Sequence, residues 1–299
     1  LGWHVVVKKG EYKVGDRVVY VEIDSLLPER PEFEFLRGNC YKAPIKNAAG
    51  DVVLRGGFRL RTVKLRGQVS QGICFPLSIL SESITTIGKV GDDVTEALDI
   101  VKYELPEELG GMRGMPRSTF PIGIPKTDET RVQNLGGLLH ACRGQTFVMT
   151  EKLDGSSFTA FVRGEEFGVC SRNQQLDAAD GSHVFTALAA RLGLAERMRD
   201  RQKEVGDFAI QGEVIGPKIQ GNKYALTDYQ LRVFDGYWIG DAAHMSHGMM
   251  LETARRLGLD TVPVLGSFVL AHSIDEIVAM SEGKSVLNPK TEREGIVLR

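Results

Sequence analysis

The sequence lacks several features that would assign a chain to a familiar class. Its 299 residues include four cysteines without a CxxC pair, which argues against structural zinc and against a disulfide framework. No apolar run approaches the roughly 20 residues of a membrane-spanning helix, and no charged-then-apolar leader is recognisable. Walker-type and dinucleotide-binding glycine motifs are also missing. We therefore expect an intracellular globular protein, with cytoplasm and nucleus or nucleoid left undecided.

An excess of charge of either sign is missing as well. The chain has 37 basic and 39 acidic residues, for a net charge of −2 at pH 7. Whole-protein electrostatics therefore does not draw it to nucleic acid, and such binding would need a local basic patch. What the chain does have is length and 42% hydrophobic residues, enough for two domains with separate cores.

Short β-like runs dominate residues 3 to 80, and their size and spacing predict a small barrel. These runs are WHVVVKK, DRVVYVEI, FRLRTVKLR and GICFPL. Residues 58–66 place basic side chains on one face of a hairpin. That face suits contact with phosphates, and it equally suits a solvated edge strand whose charges prevent aggregation. The candidate nucleic-acid-binding residues are Arg59, Arg61, Lys64 and Arg66.

Residues 81–123 are dense in Gly and Pro and predict a linker. From residue 124 onward, strands and helices are interspersed without a regular βαβ repeat, which predicts an α+β domain with antiparallel sheets. The predicted strands are QTFVMTEKL, SFTAFVR, EFGVCSR, DFAIQGEVI, YQLRVFDGYWI and EGIVLR. The predicted helices are HVFTALAARLGLAERMRDRQKEV, MMLETARRLG and SIDEIVAMSEG.

The stretch TEKLDGSS carries the main chemical signal. If Lys152 ends a strand, Asp154 points to the same side of the sheet, and Gly155 permits a tight turn. A bare turn of this kind is most often an ordinary surface feature. Two further acids, Glu213 and Glu294, fall in otherwise apolar strands, where carboxylates are rarely buried without a partner. We therefore expect the three acids to converge on the lysine.

Such a convergence has a chemical consequence. A lysine attacks only as a neutral amine, and carboxylates alone would raise a lysine pKa above its ordinary value of about 10.4. A divalent metal held by the acids reverses the sign of the local field. The arrangement therefore predicts a nucleophilic lysine that attacks a metal-bound phosphate.

Five segments resemble, in order and spacing, the successive motifs of the covalent nucleotidyltransferases, which include polynucleotide ligases and RNA capping enzymes. They are EKLDGSS, SRN, FAIQGEVIG, LRVFDGYWI and EGIVLR. The β-rich N-terminus and IPKTDETRVQNL resemble in particular the ATP-dependent RNA ligases of the Deinococcus type. The resemblance implies an α+β fold with an N-terminal OB-type barrel (1–80), a linker (81–123) and an ATP-grasp-like adenylyltransferase domain (124–299).

The resemblance also implies a reaction. Lys152 would take AMP from ATP as a lysine-AMP adduct, the AMP would pass to a 5′-phosphate, and a 3′-hydroxyl would displace it. The substrate would be RNA ends or a nicked duplex containing RNA. Asp154, Glu213 and Glu294 would hold Mg²⁺ or Mn²⁺. The residues implied to contact ATP are Glu151 at the adenine edge, Arg172 near the ribose, Phe234 stacked on the base, and Arg131 and Lys126 at the phosphates.

Three alternatives share part of this pattern. An ATP-dependent DNA ligase or a GTP-dependent capping enzyme would use the same lysine and acids, whereas a non-catalytic OB-fold RNA-binding protein would need only the basic run. The family's last motif, with two lysines, would follow Arg299, so we expect the native protein to continue. Sealing one nick requires no dimer, which favours a monomer. His244 and His247 have metal-binding spacing without an evident third ligand, so we expect a loop or helix-start role.

Overall fold

The chain separates into two units at the Gly- and Pro-rich stretch in its middle. The computed structural model describes residues 2–47, 50–80, 89–104 and 116–299. One unit is Trp3–Gly111, and the other is Met112–Arg299 together with Leu1–Gly2. Much of the predicted linker, residues 81–88 and 105–115, lies outside the described residues. The predicted domain boundaries at residues 80 and 123 therefore stay predictions.

The first unit consists mainly of short strands. Their bounds are β1 Val18–Val21, β2 Ser25–Leu27, β3 Tyr41–Lys42, β4 Ile45–Lys46, β5 Val52–Leu54, β6 Gly57–Arg59, β7 Val63–Leu65, β8 Gln68–Ser70, β9 Ile73–Pro76 and β10 Val101–Lys102. A helix α1, Arg37–Cys40, and two 3-10 helices, Pro31–Leu36 and Leu77–Ile79, complete it. The sheets are β1-β9, β10-β2-β6-β3, β4-β5 and β7-β8, and within the described residues they do not close into one barrel.

A small hydrophobic core joins the strands of the first unit. Val19 and Val21 alternate inward along β1 and pack with Phe58 and Leu60. Leu60 is 5% exposed, and its N–H donates to the Ser25 carbonyl over 2.9 Å, which continues the contact between β6 and β2. The predicted run over residues 58–66 divides into β6 and β7, with residues 60–62 between them outside any strand. The predicted strand WHVVVKK is also not formed.

The second unit contains the longer elements. Its strands are β11 Pro116–Thr119, β12 Thr146–Lys152, β13 Ser156–Arg163, β14 Glu166–Cys170, β15 Gln174–Leu176, β16 Phe208–Ile215, β17 Gln230–Trp238, β18 Ala243–His244, β19 Asp260–Thr261, β20 Val264–Val269 and β21 Gly295–Leu298. Its helices are α2 Gly136–Ala141, α3 Val184–Arg191, α4 Leu194–Val205, α5 His247–Arg256 and α6 Ile274–Met280, with 3-10 helices at Val132–Asn134 and Gln220–Asn222.

Two sheets organise these strands. The larger has the order β11-β15-β14-β13-β16-β17-β18, with β19 added alongside β17, and the smaller has the order β20-β12-β21. All these pairs are antiparallel except β17 with β19. The predicted α+β class with antiparallel sheets is confirmed.

Side chains along β16 point alternately to the two faces of the large sheet, so that one set enters the hydrophobic core and the other does not. Phe208, Ile210 and Val214 are buried in the cluster that also contains residues of α3, α4 and α5. The intervening positions, which include Gln211 and Glu213, point to the opposite face. The helices therefore cover one face of the large sheet, and polar side chains emerge on the other.

The predicted long helix over residues 183–205 is in fact two helices. Gly193 adopts a left-handed φ of +62° between α3 and α4, which interrupts the helix. Helix α6 begins at a capping box in which Ser273 and Glu276 bond to each other's backbone N–H groups. No described helix is long and apolar enough to cross a membrane.

Candidate active site

The candidate nucleophile lies at a turn between the two sheets of the second unit. Lys152 is the last residue of β12 in the smaller sheet, and Ser156 is the first residue of β13 in the larger one. In the turn, a Cβ atom on Gly155 would lie 2.4 Å from the Val214 carbonyl oxygen. Only glycine allows this close approach, so the turn residue is fixed by packing.

The lysine is paired with one of the three predicted acids. The Lys152 ammonium forms an ion pair with Glu294, which directly precedes β21. Strand register explains the contact, because Lys152 faces Gly295 across the β12–β21 pair. Residues 142 positions apart in the sequence therefore meet at the same end of the smaller sheet.

Glu213 supplies a second carboxylate from the larger sheet. Its Oε1 accepts a hydrogen bond of 3.0 Å from the Gly155 backbone N–H. Burial raises the pKa of the Glu213 carboxyl to about 8; the positive charge of Lys152 lowers this pKa, and the negative charges of Glu294 and Asp154 raise it. The lysine and the other two acids are thus close enough to Glu213 to interact with it electrostatically.

Asp154 has partners that the sequence analysis missed. Its carboxylate forms an ion pair with Lys223, and its backbone N–H donates to the Tyr224 hydroxyl over 2.7 Å. Tyr224 is 6% exposed, and burial raises its pKa to about 12. Both partners lie in the loop between β16 and β17, which contains no motif that sequence reasoning could recognise.

Glu151, next to the lysine, contains an unsatisfied buried oxygen. The residue is 1% exposed, and its Oε2 accepts a hydrogen bond of 2.8 Å from the Val286 backbone N–H. Its Oε1 is buried and has no hydrogen-bond partner within the described part of the chain. An orphaned carboxylate oxygen is costly, so this atom is suited to accept a hydrogen bond from a ligand N–H group.

Two of the implied nucleotide contacts lie side by side. Lys126 Nζ donates to Asn173 Oδ1 over 2.8 Å, and Arg172 forms an ion pair with Asp128. The threonine between Lys126 and Asp128 hydrogen-bonds the hydroxyl of Ser157, the second residue of β13. The structure therefore places Lys126 and Arg172 in one hydrogen-bonded group that reaches the beginning of β13.

Arg131 and Phe234 occupy different settings. Arg131 is partly buried and precedes the 3-10 helix Val132–Asn134. Phe234 is partly buried on β17 and packs against the hydrophobic cluster that contains Leu153, the residue after the lysine. The ring of Phe234 is therefore near the lysine turn, with part of its surface open to a ligand.

A charged network lies beyond Phe234. The Arg299 guanidinium is 5.7 Å from the Phe234 ring centroid, and Asp235 accepts from Arg299 over 3.0 Å. Asp235 also pairs with His244 Nδ1 at 2.8 Å. These residues line a cavity of about 290 Å³, together with His247, the first residue of α5. Sequence reasoning missed the network because its members come from three separate segments.

The basic residues of the first unit are not equivalent. The Arg59 side chain already has partners within the protein. It forms an ion pair with Asp24 at 2.9 Å, and its guanidinium lies 4.4 Å from the Tyr103 ring centroid. Arg61, Lys64 and Arg66 are exposed at β7 and its flanks. The available cationic surface is therefore smaller than the sequence predicts.

The acids near the lysine suit a hard divalent cation. Carboxylate oxygens are the donors that Mg²⁺ and Mn²⁺ prefer. No three His, Cys, Asp or Glu side chains in the described ranges are close enough to hold an ion by themselves. Mg²⁺ usually binds through one or two carboxylates plus waters and substrate phosphates, so the donor set fits without a closed cage.

Comparison with known proteins identifies the family to which a chain with this fold and this site belongs. Residues 145–299 match the family model described as RNA ligase, and residues 1–77 match that of an OB-fold domain. The chain belongs to the RNA ligase family, as its sequence motifs indicate. No curated protein matches the chain.

Solved structures of an RNA ligase from Naegleria gruberi are similar to the whole chain at 36% identity. A mutant of that enzyme with ATP and Mn has a TM-score of 0.88 and covers 100% of this chain and 86% of its own. The enzyme with PPi has a TM-score of 0.87, and another mutant with AMP and Mn has 0.88. Both cover 100% of this chain and 85% of their own.

Proposed function

We propose that this RNA ligase seals 3′-hydroxyl/5′-phosphate breaks or nicks in RNA, with ATP as the nucleotide and a lysine-AMP adduct on Lys152. Family membership makes the protein an enzyme that joins RNA ends. The observation that carries the finer proposal is the lysine turn itself. There Lys152 contacts Glu294, and Asp154 and Glu213 lie in the same electrostatic field.

The orphaned oxygen of Glu151 supports adenine as the base. The exocyclic amine of adenine donates a hydrogen bond, which would satisfy Glu151 Oε1. Guanine presents a carbonyl oxygen at the same position, so GTP would leave two acceptors facing each other. Phe234 would stack on the base, Arg172 would contact the ribose, and Arg131 and Lys126 would bind phosphates. ATP and AMP are the nucleotides present in two of the Naegleria structures, which supports ATP as the nucleotide.

The first chemical step follows from the pair of Lys152 and Glu294. The lysine nitrogen attacks the α-phosphorus of ATP, a P–N bond forms, the α–β phosphoanhydride breaks, and pyrophosphate leaves. Glu294 hydrogen-bonds the same nitrogen and orients it, and the proton that the ammonium loses before the attack goes to solvent. The AMP then passes to the 5′-phosphate of RNA, and the 3′-hydroxyl displaces it to seal the strand.

Asp154, Glu213 and Glu294 would hold Mg²⁺ or Mn²⁺. A divalent ion there supplies stabilisation of the negative charge that develops on the phosphate and favours the neutral amine of the lysine. Two hydrogen bonds within the chain position these acids. The Gly155 N–H orients Glu213, and the buried Tyr224 fixes the Asp154 backbone.

The same proposal covers the oligomeric state, the compartment and the roles of the domains. A monomer suffices, because one nick presents one pair of ends. The four free cysteines suit a reducing, intracellular compartment. The division into residues 1–80 for nucleic-acid binding, 81–123 as linker and 124–299 as adenylyltransferase assigns RNA contact to Arg61, Lys64 and Arg66, with Arg59 in a supporting position.

Sealing assays on singly nicked duplexes test this proposal. The strand with the 3′-hydroxyl is RNA or DNA, the nucleotide is ATP, GTP or NAD, and Lys152→Ala is the control. We expect sealing with ATP when the 3′-hydroxyl end is RNA, and none with the variant. Equal sealing of all-DNA nicks would indicate a DNA ligase. Transfer of GMP to a 5′-diphosphate end would indicate a capping enzyme, and RNA binding without sealing would indicate a non-catalytic protein.

A further inference from the structure

The loop that follows Glu213 has an unusual backbone. Between β16 and β17, four non-glycine residues have positive φ: 65° at Lys218, 44° at Gln220, 51° at Asn222 and 52° at Ala225. Residues other than glycine adopt this region uncommonly. Tertiary contacts therefore impose the shape of the loop against local preference.

Those contacts fix the backbone on both sides of Lys223. Before it, the Asn222 side chain hydrogen-bonds back to the loop at 2.9 and 3.0 Å. At Lys223 itself, the carbonyl accepts from Asn288 Nδ2 over 2.7 Å. After it, the buried Tyr224 places its hydroxyl on the Asp154 backbone N–H. These contacts hold the Lys223 backbone in place, so the Lys223 ammonium lies next to Asp154. Most exposed lysines extend from a backbone without such contacts.

The pairing has a consequence for charge. Lys152 neutralises Glu294, and Lys223 neutralises Asp154. Glu213 is the third acid, with a pKa raised to about 8. Two of the three acids proposed to hold a metal ion are therefore compensated by ammonium groups, and a divalent ion at Asp154 would compete with Lys223 for its carboxylate.

We propose that Lys223 is a cationic gate on the metal site, occupying Asp154 until a divalent ion displaces it and so setting the metal concentration that the enzyme needs. The inference rests on the proposed function, because it takes Asp154 as a metal-binding residue. Removing the ammonium frees the carboxylate and also removes repulsion of the incoming cation. The pair is partly exposed, so the expected effect is modest, about two- to tenfold in metal affinity.

Binding of Mn²⁺ to the nucleotide-free protein tests the gate. Free Mn²⁺ is quantified by electron paramagnetic resonance for wild type, Lys223→Met, Lys223→Arg and Lys218→Met. Lys218 is an exposed lysine in the same loop, so its substitution makes the same change in net charge. We expect Lys223→Met to bind Mn²⁺ about two to ten times more tightly than wild type. Lys223→Arg should stay close to wild type, and Lys218→Met should change by less than twofold.

Two results would overturn the inference. One is a Lys223→Met protein, folded by circular dichroism, whose Mn²⁺ affinity is unchanged or weaker. The other is an equal gain in Lys218→Met, which would show a general charge effect. Because the measurement needs neither ATP nor RNA, it is separate from the proposed function. Failure of the wild type to form an AMP adduct would contradict that function and leave the Mn²⁺ comparison interpretable.

Discussion

Replacing Gly155 by alanine tests whether the close approach of β13 and β16 shapes the lysine turn. The added Cβ would lie 2.4 Å from the Val214 carbonyl oxygen and 2.8 Å from both Glu213 Cγ and Ile215 Cγ2. Cβ contacts under 3.0 Å are essentially never seen, so the strands must move apart by at least the 0.6 Å difference. Overpacking of this kind costs about 1–3 kcal/mol. For a unit of this size we expect Tm to fall by roughly 2–12 °C.

The same substitution should slow catalysis. Gly155 N–H holds Glu213 Oε1 at 3.0 Å, so separating the strands displaces a carboxylate next to Lys152. A misplacement of about 1 Å can cost on the order of 100-fold in rate. Thermal unfolding by circular dichroism and the rate of AMP transfer by intact mass measure the two effects. Gly181→Ala is the control, because its Cβ would meet nothing within 4 Å. Equal Tm and rate in the two variants would refute the reasoning.

Three further predictions concern other parts of the chain. Burial raises the pKa of the Cys170 thiol to about 12. Iodoacetamide at pH 8 should therefore modify Cys142 and spare Cys170. Equal labelling of the two cysteines in peptide mass spectra would contradict this prediction. Asp235→Ala removes the buried partner of Arg299, which keeps its ion pair with Glu129, and should lower Tm by roughly 4–8 °C, from about 2 kcal/mol. The exposed control Asp260→Ala should shift Tm by little, and similar shifts in the two variants would count against the network. Substituting Arg61, Lys64 and Arg66 together by alanine should reduce the steepness with which the logarithm of the RNA-binding constant falls with the logarithm of salt concentration by roughly 2. An unchanged slope would indicate that these residues serve solubility instead of RNA binding.

Strand alternation and motif order made most of the second unit predictable. QTFVMTEKL, DFAIQGEVI and YQLRVFDGYWI became β12, β16 and β17 because their apolar residues alternate or run continuously, as strands within packed sheets require. The helix break at Gly193 depends on a left-handed φ that its surrounding apolar pattern conceals. In the first unit, the run over residues 58–66 divides between β6 and β7, and its basic residues do not show where β6 ends.

The site was only partly predictable for a related reason. Lys152 and Asp154 are two residues apart, so the local sequence keeps them close, although Asp154 lies in the turn after β12 and not in the strand. Glu294 reaches the lysine through the register of β12 and β21, which no local pattern encodes. Lys223 is positioned by a strained loop and by tertiary hydrogen bonds, and a single lysine in a polar loop gives no sequence signal at all.

The most direct test of the central claim is the location of AMP on the protein. The wild type and Lys152→Ala are incubated with ATP and Mg²⁺ or Mn²⁺, and intact mass and peptide mapping follow. The account predicts a mass gain of one AMP, confined to the peptide at Lys152 and missing from the variant. An adduct that persists in Lys152→Ala would contradict it. So would the lack of any adduct in a folded wild-type protein whose mass shows that it was not already adenylylated.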